Sequence, residues 1–212
     1  MAKAARPGHV KTRLAASLPA YEIIELYKCL IEDTIELSRS VTTDALAILC
    51  PSSDVDDLSS WLPRIEIVAQ EGEGLSAGLV SAFRVFIGRG YRRVVALDGD
   101  SPQLPSQTLE HAFRLLDSTD VVVGPTTDGG YYLVGTTALK PELFDQDRIG
   151  TNGALDSMLA AARKLNLTVA LTETAYDVDE PSDLARVSLE LARYPSRAPR
   201  TARWLARRNT RE

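Results

Sequence analysis

The chain has 212 residues, is 44% hydrophobic and 25% charged, and carries a formal net charge of −5. This length accommodates one domain with a sizeable core, and the composition is that of a globular protein. Because no apolar run reaches ~18 residues and the N-terminus is basic, we expect neither a membrane span nor a secretory signal in the sequence as it stands.

Apolar periodicity predicts alternating strands and helices. A basic loop at residues 1–13 leads into a helix over about 20–38, whose apolar residues recur at helical spacing. Short apolar runs closed by proline or glycine indicate buried strands. The predicted strands cover 44–50, 65–70, 94–97, 121–125, a short run after Gly130, and 168–173. The other predicted helices cover 54–61, 75–87, 107–116 (capped by Ser106), a stretch capped by Thr151 or Asn152 that ends near 165, and a last main helix with Pro181 in its first turn.

This alternation predicts a single α/β domain with a mainly parallel central sheet. The last twenty residues differ from the rest in charge: they hold seven arginines and one glutamate, a net charge of +6, whereas the first 192 residues sum to −11. An acidic body is a poor nucleic-acid binder, so we expect no nucleic-acid partner. We therefore assign a domain to 1–192 and an arginine-rich tail or helix to 193–212, in which Trp204 and Leu205 can dock on the body.

The cysteines and histidines are too few and too scattered to predict a zinc site. Cys29 and Cys50 lie in separate predicted elements without a CxxC pattern, and His9 and His111 are far apart in the sequence. The expected arrangement is two buried thiols in a cytoplasmic protein.

The first polar cluster is the basic N-terminal loop. Backbone N–H groups at a helix start, together with lysine and arginine, form an anion cradle. Val10 stands where a Walker A motif requires glycine, so we expect phosphate binding by a different geometry, with a solvated basic terminus as the alternative. The residues assigned to phosphate binding are Lys3, Arg6, Gly8, Lys11, Thr12 and Arg13.

The second cluster, Asp98 and Asp100, closes the strand in the segment VVALDGDSP. Ligands of open α/β sheets bind beyond the carboxyl ends of the strands, and two nearby carboxylates call for a cation. Mg²⁺ (or Mn²⁺) carrying phosphates is the expected occupant. The alternatives are an acidic turn that caps the next helix and, ranked lower, a phosphatase of the haloacid dehalogenase type, whose motif normally lies near the N-terminus.

Two further clusters follow. Asp128, Gly129, Gly130 and Tyr131 form a turn in which paired glycines allow a ligand to approach the backbone and Asp128 can accept from a hydroxyl; a plain hairpin turn is the alternative. At residues 177–184, Asp177 and Asp179 can supply further ligands to the same metal. Asp183, in the first helical turn, favours the helix dipole instead.

Segments 3–14, 98–104, 124–135 and 177–184 together resemble a bacterial family of transferases of unknown function. Its members are labelled arsenosugar-biosynthesis-type glycosyltransferases and belong to the nucleotide-diphospho-sugar transferase superfamily. Segments 11–14 and 177–184 are also similar to 2-phospholactate guanylyltransferases and molybdenum-cofactor nucleotidyltransferases.

The resemblance implies a glycosyltransferase-A fold, a Rossmann-like sheet that binds a nucleotide through a divalent cation. It implies catalytic roles for Lys11, Arg13 and Asp100, with Asp179 or Asp177 as a second metal ligand. Residues 128–131 would line the acceptor side. Asp98 departs from the family pattern, which more often has a small or neutral residue there.

A second departure lies at the N-terminus. Related chains begin with an apolar strand before the residue that corresponds to Lys3, so the first strand here is expected to be short or missing. Three explanations stay open: Met1 is an internal start chosen by mistake, the chain is truncated, or Met1–Ala5 forms a stub strand. We prefer the first.

These clusters predict a Mg²⁺-dependent transferase that uses a nucleotide or nucleotide sugar and a small-molecule acceptor. Nucleotidyl transfer from a nucleoside triphosphate to a small phosphorylated acceptor is favoured, because little chain remains for a separate acceptor domain and the Lys-Thr-Arg loop suits a triphosphate. Glycosyl transfer and a non-catalytic nucleotide-binding module are the alternatives. The sequence leaves the oligomeric state open.

Overall fold

A computed structural model of the chain describes residues 1–144 and 150–210. The α-helices are α1 (Ala20–Arg39), α2 (Val55–Trp61), α3 (Gly74–Gly88), α4 (Ser106–Leu115), α5 (Ala154–Lys164), α6 (Pro181–Arg193) and α7 (Pro199–Asn209). The strands are β1 (Ala47–Cys50), β2 (Glu66–Ala69), β3 (Val94–Leu97), β4 (Val121–Pro125), β5 (Tyr131–Thr136) and β6 (Val169–Leu171). None of the described helices has the length and apolarity that crossing a membrane requires.

The strands form two sheets, and the predicted α/β class is confirmed. β1 and β2 pair in parallel, and the larger sheet has the order β3-β5-β4-β6. β4 is parallel to β6, whereas β5 is antiparallel to both of its neighbours. The reason lies in the connection: residues 126–130 between β4 and β5 are too few for the crossover that a parallel pair requires.

The N-terminal residues lie between the two sheets, at the carboxyl ends of β1 and β3. The Ala2 N–H donates to the Leu49 carbonyl at 3.1 Å, and the Met1 ammonium donates to the Leu97 carbonyl at 2.6 Å. β1 and β3 do not pair with each other directly. The position expected for a short or missing first strand is thus occupied at one end by a stub of the chain.

Helix α7 packs on the body and contains most of the residues predicted as an arginine-rich tail. Leu205 of α7 is 4% exposed and shares a core cluster with Leu26 and Leu30 of α1 and with Leu191 of α6. Buried apolar contacts of this kind are the main source of helix stability in a folded protein. The last two predicted tail residues, 211 and 212, lie outside the described residues.

Three local predictions need correction. The predicted cap Ser106 is the first residue of α4, which follows an extended Pro105. The residue preceding α5 is Gly153, not Thr151 or Asn152, and it makes no side-chain cap. Cys50 is buried as expected, but Cys29 is only partly buried on α1.

Candidate active site

A cavity of about 800 Å³ opens at the carboxyl ends of β1, β2 and β3. Its lining includes residues from all four predicted clusters, although these are widely separated in the sequence. The lining residues with a predicted role are Lys3, Lys11, Arg13, Asp98, Asp100, Asp128, Gly130, Tyr131, Asp177 and Asp179. A cavity of this size and position is typical of the ligand sites of α/β proteins.

The loop after β3 places the side chains of Asp98 and Asp100 in different surroundings. The Asp98 carboxylate is turned into the loop, where it accepts hydrogen bonds from the Asp100 N–H at 3.3 Å and from the Ser101 hydroxyl at 3.2 Å. Asp98 therefore shapes the turn. The Asp100 side chain is left 31% exposed.

A backbone hydrogen bond brings the second acidic loop beside Asp100. The Val178 N–H donates to the Asp100 carbonyl at 2.9 Å. The neighbouring Asp179 is fixed from the other side by Asp183, whose carboxylate accepts the N–H groups of Asp179 and Glu180 at 3.1 and 2.7 Å. Asp183 thus organises the start of α6, in the first turn where it was expected.

Lys11 joins the two acidic loops. Its ammonium lies 2.8 Å from Asp100 Oδ1 and 2.6 Å from Asp179 Oδ1, and its side chain is 3% exposed. Burial acts to lower the pKa of this lysine, but the charges of the two carboxylates outweigh burial and raise its pKa. The Lys11 side chain therefore stays positively charged between two carboxylates.

Two further acidic residues of the cavity, Asp98 and Asp177, lie close to other carboxylates. Burial, with the nearby charges of Asp100 and Asp177, raises the pKa of Asp98 to about 8. Burial, with the charge of Asp179, raises the pKa of Asp177 to about 6. Carboxyl groups whose pKa values rise in this way are crowded and poorly solvated, and a bound cation would relieve them.

The donor set fits a divalent cation that arrives with phosphates. Within residues 1–144 and 150–210, no three histidine, cysteine, aspartate or glutamate side chains converge to hold a metal alone. The four predicted ligands thus do not form one set, and only Asp100 and Asp179 share a cation, the Lys11 ammonium. Mg²⁺ is usually bound by one or two carboxylates together with phosphate oxygens and water, which two such residues suit.

Three residues of the predicted acceptor cluster, Asp128, Gly130 and Tyr131, line the cavity. The Asp128 carboxylate accepts hydrogen bonds from the Thr126 hydroxyl and from the Gly130 N–H, and these bonds lower the pKa of Asp128. Burial raises the pKa of Tyr131 to about 12, and among the described residues its buried hydroxyl has no hydrogen-bond partner.

Gly129 does not have the role expected of it. It has a φ of +89° and does not line the cavity, and a Cβ added there would overlap the backbone carbonyl oxygen of Asn152. The close approach that this glycine allows is therefore to another loop of the same chain. The expectation of a close approach to a ligand is corrected for this residue, while Gly130 keeps its place on the cavity wall.

The predicted phosphate-binding residues separate into two groups. Lys3, Lys11 and Arg13 line the cavity, with Arg13 at the rim, where its side chain is 63% exposed. The remaining three, Arg6, Gly8 and Thr12, do not line it.

Arg6 is turned away because acidic residues at the start of α2 attract it. Its guanidinium pairs with Asp54 at 3.1 Å and with Asp57 at 2.7 Å. Lys11 and Arg6 are close in sequence, but only tertiary structure decides which of them reaches the cavity. The expected role of Arg6 is therefore corrected: it pairs with the buried Asp54 and the exposed Asp57 and does not line the cavity.

The segment 71–74 was expected only as a loop between a strand and a helix, yet Gly72, Glu73 and Gly74 line the cavity. It follows the carboxyl end of β2 and runs into the first residue of α3, and Gly72 and Gly74 have φ values of +78° and +81°. The same reasoning that selected the other loops, a glycine-rich segment at a strand's carboxyl end, applies to this one.

Comparisons with known proteins bear on the family and the fold of the chain. A family described as an uncharacterized protein conserved in bacteria, DUF2064, matches residues 34–151. A candidate nucleotide-diphospho-sugar transferase from Desulfovibrio desulfuricans G20 is 28% identical with a TM-score of 0.90, over 99% of this chain and 93% of that chain. No curated protein matches the chain by sequence.

Two more distant structures share the fold. A 4-diphosphocytidyl-2C-methyl-D-erythritol synthase has a TM-score of 0.57 at 13% identity, over 76% of this chain and 90% of that chain. A CMP:2-keto-3-deoxy-manno-octonic acid synthetase, solved with CTP, has a TM-score of 0.56 at 12% identity, over 78% and 88%. These similarities support the nucleotide-diphospho-sugar transferase fold, and none of them carries the arsenosugar label. The family match covers more than half of the residues of this chain, and the chain therefore belongs to the DUF2064 family.

Proposed function

We propose that this protein is a divalent-cation-dependent transferase that moves a nucleotidyl group from a nucleoside triphosphate to a small phosphorylated acceptor. The observation that carries the proposal is the convergence of Asp100 and Asp179 on one cationic group in a cavity of about 800 Å³. The similarity over almost the whole chain to a candidate nucleotide-diphospho-sugar transferase supports a nucleotide as the ligand.

Each charged residue near Asp100 and Asp179 would have a role that follows from its position in the cavity. Asp100 and Asp179 would hold Mg²⁺ or Mn²⁺, which would neutralise charge on the phosphates. Lys11 would donate to phosphate oxygens inside the cavity, and Arg13 at the rim would stabilise the charge of the departing pyrophosphate. Such positioning and charge stabilisation do most of the work in phosphoryl transfer.

The reaction needs no dedicated general base. An oxygen of the acceptor phosphate forms a bond to the α-phosphorus while the bond from that phosphorus to the bridging oxygen breaks. The bridging oxygen keeps the electron pair and leaves as part of pyrophosphate. An ionised phosphate acceptor already carries the electron pair that it donates.

Glycosyl transfer from a nucleotide sugar is the second candidate, and the Desulfovibrio relative favours it. An inverting glycosyltransferase requires a base to activate its hydroxyl acceptor, and Asp128 is the residue assigned to that task. The hydrogen bond from Thr126 lowers the pKa of Asp128 and makes it a weaker base. Nucleotidyl transfer therefore ranks first.

The test is to incubate the protein with Mg²⁺ and either each nucleoside triphosphate or each common nucleotide sugar, together with a panel of phosphorylated and hydroxyl acceptors. Release of pyrophosphate from a triphosphate supports the proposal. Release of nucleoside diphosphate from nucleotide sugars alone would reverse the ranking.

Two variants decide whether turnover belongs to this site. Asp100→Asn is expected to lower the rate at least a hundredfold while leaving the melting temperature near that of the wild type. Asp56→Asn, an exposed aspartate on α2, is the matched control and is expected to leave the rate unchanged. Nucleotide binding without turnover would favour the non-catalytic module, and loss of turnover in the control variant would contradict the site assignment.

A further inference from the structure

The Lys11 ammonium lies where a divalent cation shared by Asp100 and Asp179 would have to lie. One nitrogen is within 2.8 Å of a carboxylate oxygen from each loop, and the side chain that carries it is 3% exposed. Mg²⁺ needs oxygen ligands at ~2.1 Å, so a cation bound to both carboxylates would leave no room for the ammonium between them.

We propose that Lys11 is an exchangeable internal cation, which holds the two acidic loops together until a divalent cation displaces its ammonium toward the phosphates of the nucleotide. This inference rests on the proposed function, because it assumes that a cation and a nucleotide share the cavity. It assigns Lys11 two successive partners, the carboxylates first and the phosphates afterwards.

The local backbone allows the exchange to be a side-chain movement. Lys11 has a φ of 48° and a ψ of 40°, a left-handed conformation that is uncommon for a residue other than glycine, immediately before the short 3₁₀ helix Thr12–Ala16. With this backbone conformation, Lys11 lines the cavity. The four rotatable bonds of lysine then let its ammonium change partners while the backbone stays in place.

The surrounding charges make the exchange selective for Lys11. Arg13 is the other basic residue that pairs with Asp179, but its guanidinium is 3.7 Å from Asp179 and 3.8 Å from Glu180, and its side chain is 63% exposed. A cation between Asp100 and Asp179 need not displace Arg13. Only the buried lysine competes for the same space.

Exchange predicts that cation and nucleotide bind cooperatively. A divalent cation that arrives alone must push a positive charge off two carboxylates and leave it without a partner. A cation that arrives with phosphates supplies the displaced lysine with a new anion. The cation alone is therefore expected to bind weakly, and the nucleotide is expected to tighten its binding by a factor in the range ~5–150.

The first experiment measures binding of Mn²⁺ alone by electron paramagnetic resonance in the wild type, Lys11→Met, Lys11→Gln and Arg13→Met. Both Lys11 variants are expected to bind Mn²⁺ about tenfold more tightly than the wild type, because no ammonium has to be displaced. Without metal, both are expected to melt at a lower temperature, because two carboxylates then face each other; Mn²⁺ should restore the loss. Arg13→Met removes the same charge at the rim and should change Mn²⁺ affinity less than twofold.

A second experiment needs no variant. Reductive methylation of wild-type lysines, read by mass spectrometry, should modify Lys11 slowly without metal and several times faster with Mg²⁺ alone. The exposed Lys164 on α5 should react at the same rate in both conditions. Unchanged labelling of Lys11 when Mg²⁺ is bound would overturn the exchange even if neither Lys11 variant folds.

Three outcomes of the binding experiment are separable. Equal or weaker Mn²⁺ binding in the Lys11 variants overturns the exchange, and so does an equal gain in Arg13→Met, which would indicate a general charge effect. Wild-type protein that binds no Mn²⁺, alone or with the α,β-methylene analogue of any of the four nucleoside triphosphates, would refute the proposed function itself.

Discussion

Asp33 of α1 is predicted to add a polar attachment to the apolar packing of helix α7, and Asp33→Ala tests this directly. The carboxylate is 0% exposed and accepts the Thr201 N–H at 2.8 Å and the Arg200 N–H at 3.2 Å. These are two of the N–H groups that the first turn of a helix leaves without intrahelical partners. A residue of one helix thus acts as the N-terminal cap of another.

The expected loss follows from these contacts. Removing a helix cap costs ~0.5–2 kcal/mol, and leaving a buried donor unsatisfied costs ~1–3 kcal/mol. Because water can reach α7 once it loosens, the two costs overlap, and we expect a loss of about 2–4 kcal/mol in the free energy of unfolding. In a chain of this length, about 1 kcal/mol shifts the melting temperature by ~2–4 °C, so the variant should melt roughly 4–16 °C below the wild type.

The assay is urea and thermal unfolding followed by circular dichroism, with limited proteolysis as a second readout. Protease should cut the Asp33→Ala variant between α6 and α7 while the body stays folded, because α7 would detach first. Glu36→Ala, an exposed position on the same helix, is the control and should stay within ~0.5 kcal/mol of the wild type. A loss in Asp33→Ala no larger than that of Glu36→Ala would refute the reasoning.

Three further predictions concern the cavity and its walls. Gly129→Ala should lower the free energy of unfolding in urea by roughly 2 kcal/mol or more, because φ is positive there and the added Cβ would overlap the Asn152 backbone. The control Gly90→Ala, also at positive φ but in open space, should lower it by about 1 kcal/mol. Equal losses in the two variants would argue against the overlap. Burial raises the pKa of Asp98 to about 8, so this group stabilises the fold fully below about pH 4, its unfolded value, and the contribution is lost as the pH rises through 8. In metal-free buffer, the melting temperature of Asp98→Asn relative to the wild type should therefore rise steadily from pH 5 to pH 8. A difference in melting temperature that stays constant over this range would contradict the raised pKa. Tyr132→Phe should lose about 1–2 kcal/mol in the same unfolding assay, because its buried hydroxyl bonds to two groups at the end of β6, and no loss would mean that water replaces those bonds.

The regular elements could be predicted because their signals are local. The apolar spacing that predicted a helix over 20–38 is matched by α1 at Ala20–Arg39, and the run at 94–97 is strand β3 itself. Each signal lies within one window of the chain and does not depend on distant residues. The antiparallel direction of β5 could also have been derived, since the turn before it is too short for a crossover.

The site could be predicted only in part, because its loops are joined by contacts between distant residues. The sequence identified a basic loop and two acidic loops, and placed them at the same edge of the sheet. It could not distinguish Lys11, which is buried between carboxylates, from Arg6, which pairs with the start of α2. Both are basic residues of one short loop, and the difference depends on acidic partners elsewhere in the chain.

The two aspartates of the β3 loop show what spacing alone leaves undecided. Residues two apart in a strand share a face, so Asp98 and Asp100 suggest a pair that binds one cation. The strand ends at Leu97, however, and the loop then turns Asp98 into its own hydrogen bonds while Asp100 points toward the Lys11 ammonium. The carboxylate that shares this cation with Asp100 belongs to Asp179, and the Val178 N–H bonded to the Asp100 carbonyl holds the two loops together. Which carboxylate stands beside Asp100 therefore depends on that contact between loops rather than on the DGD sequence.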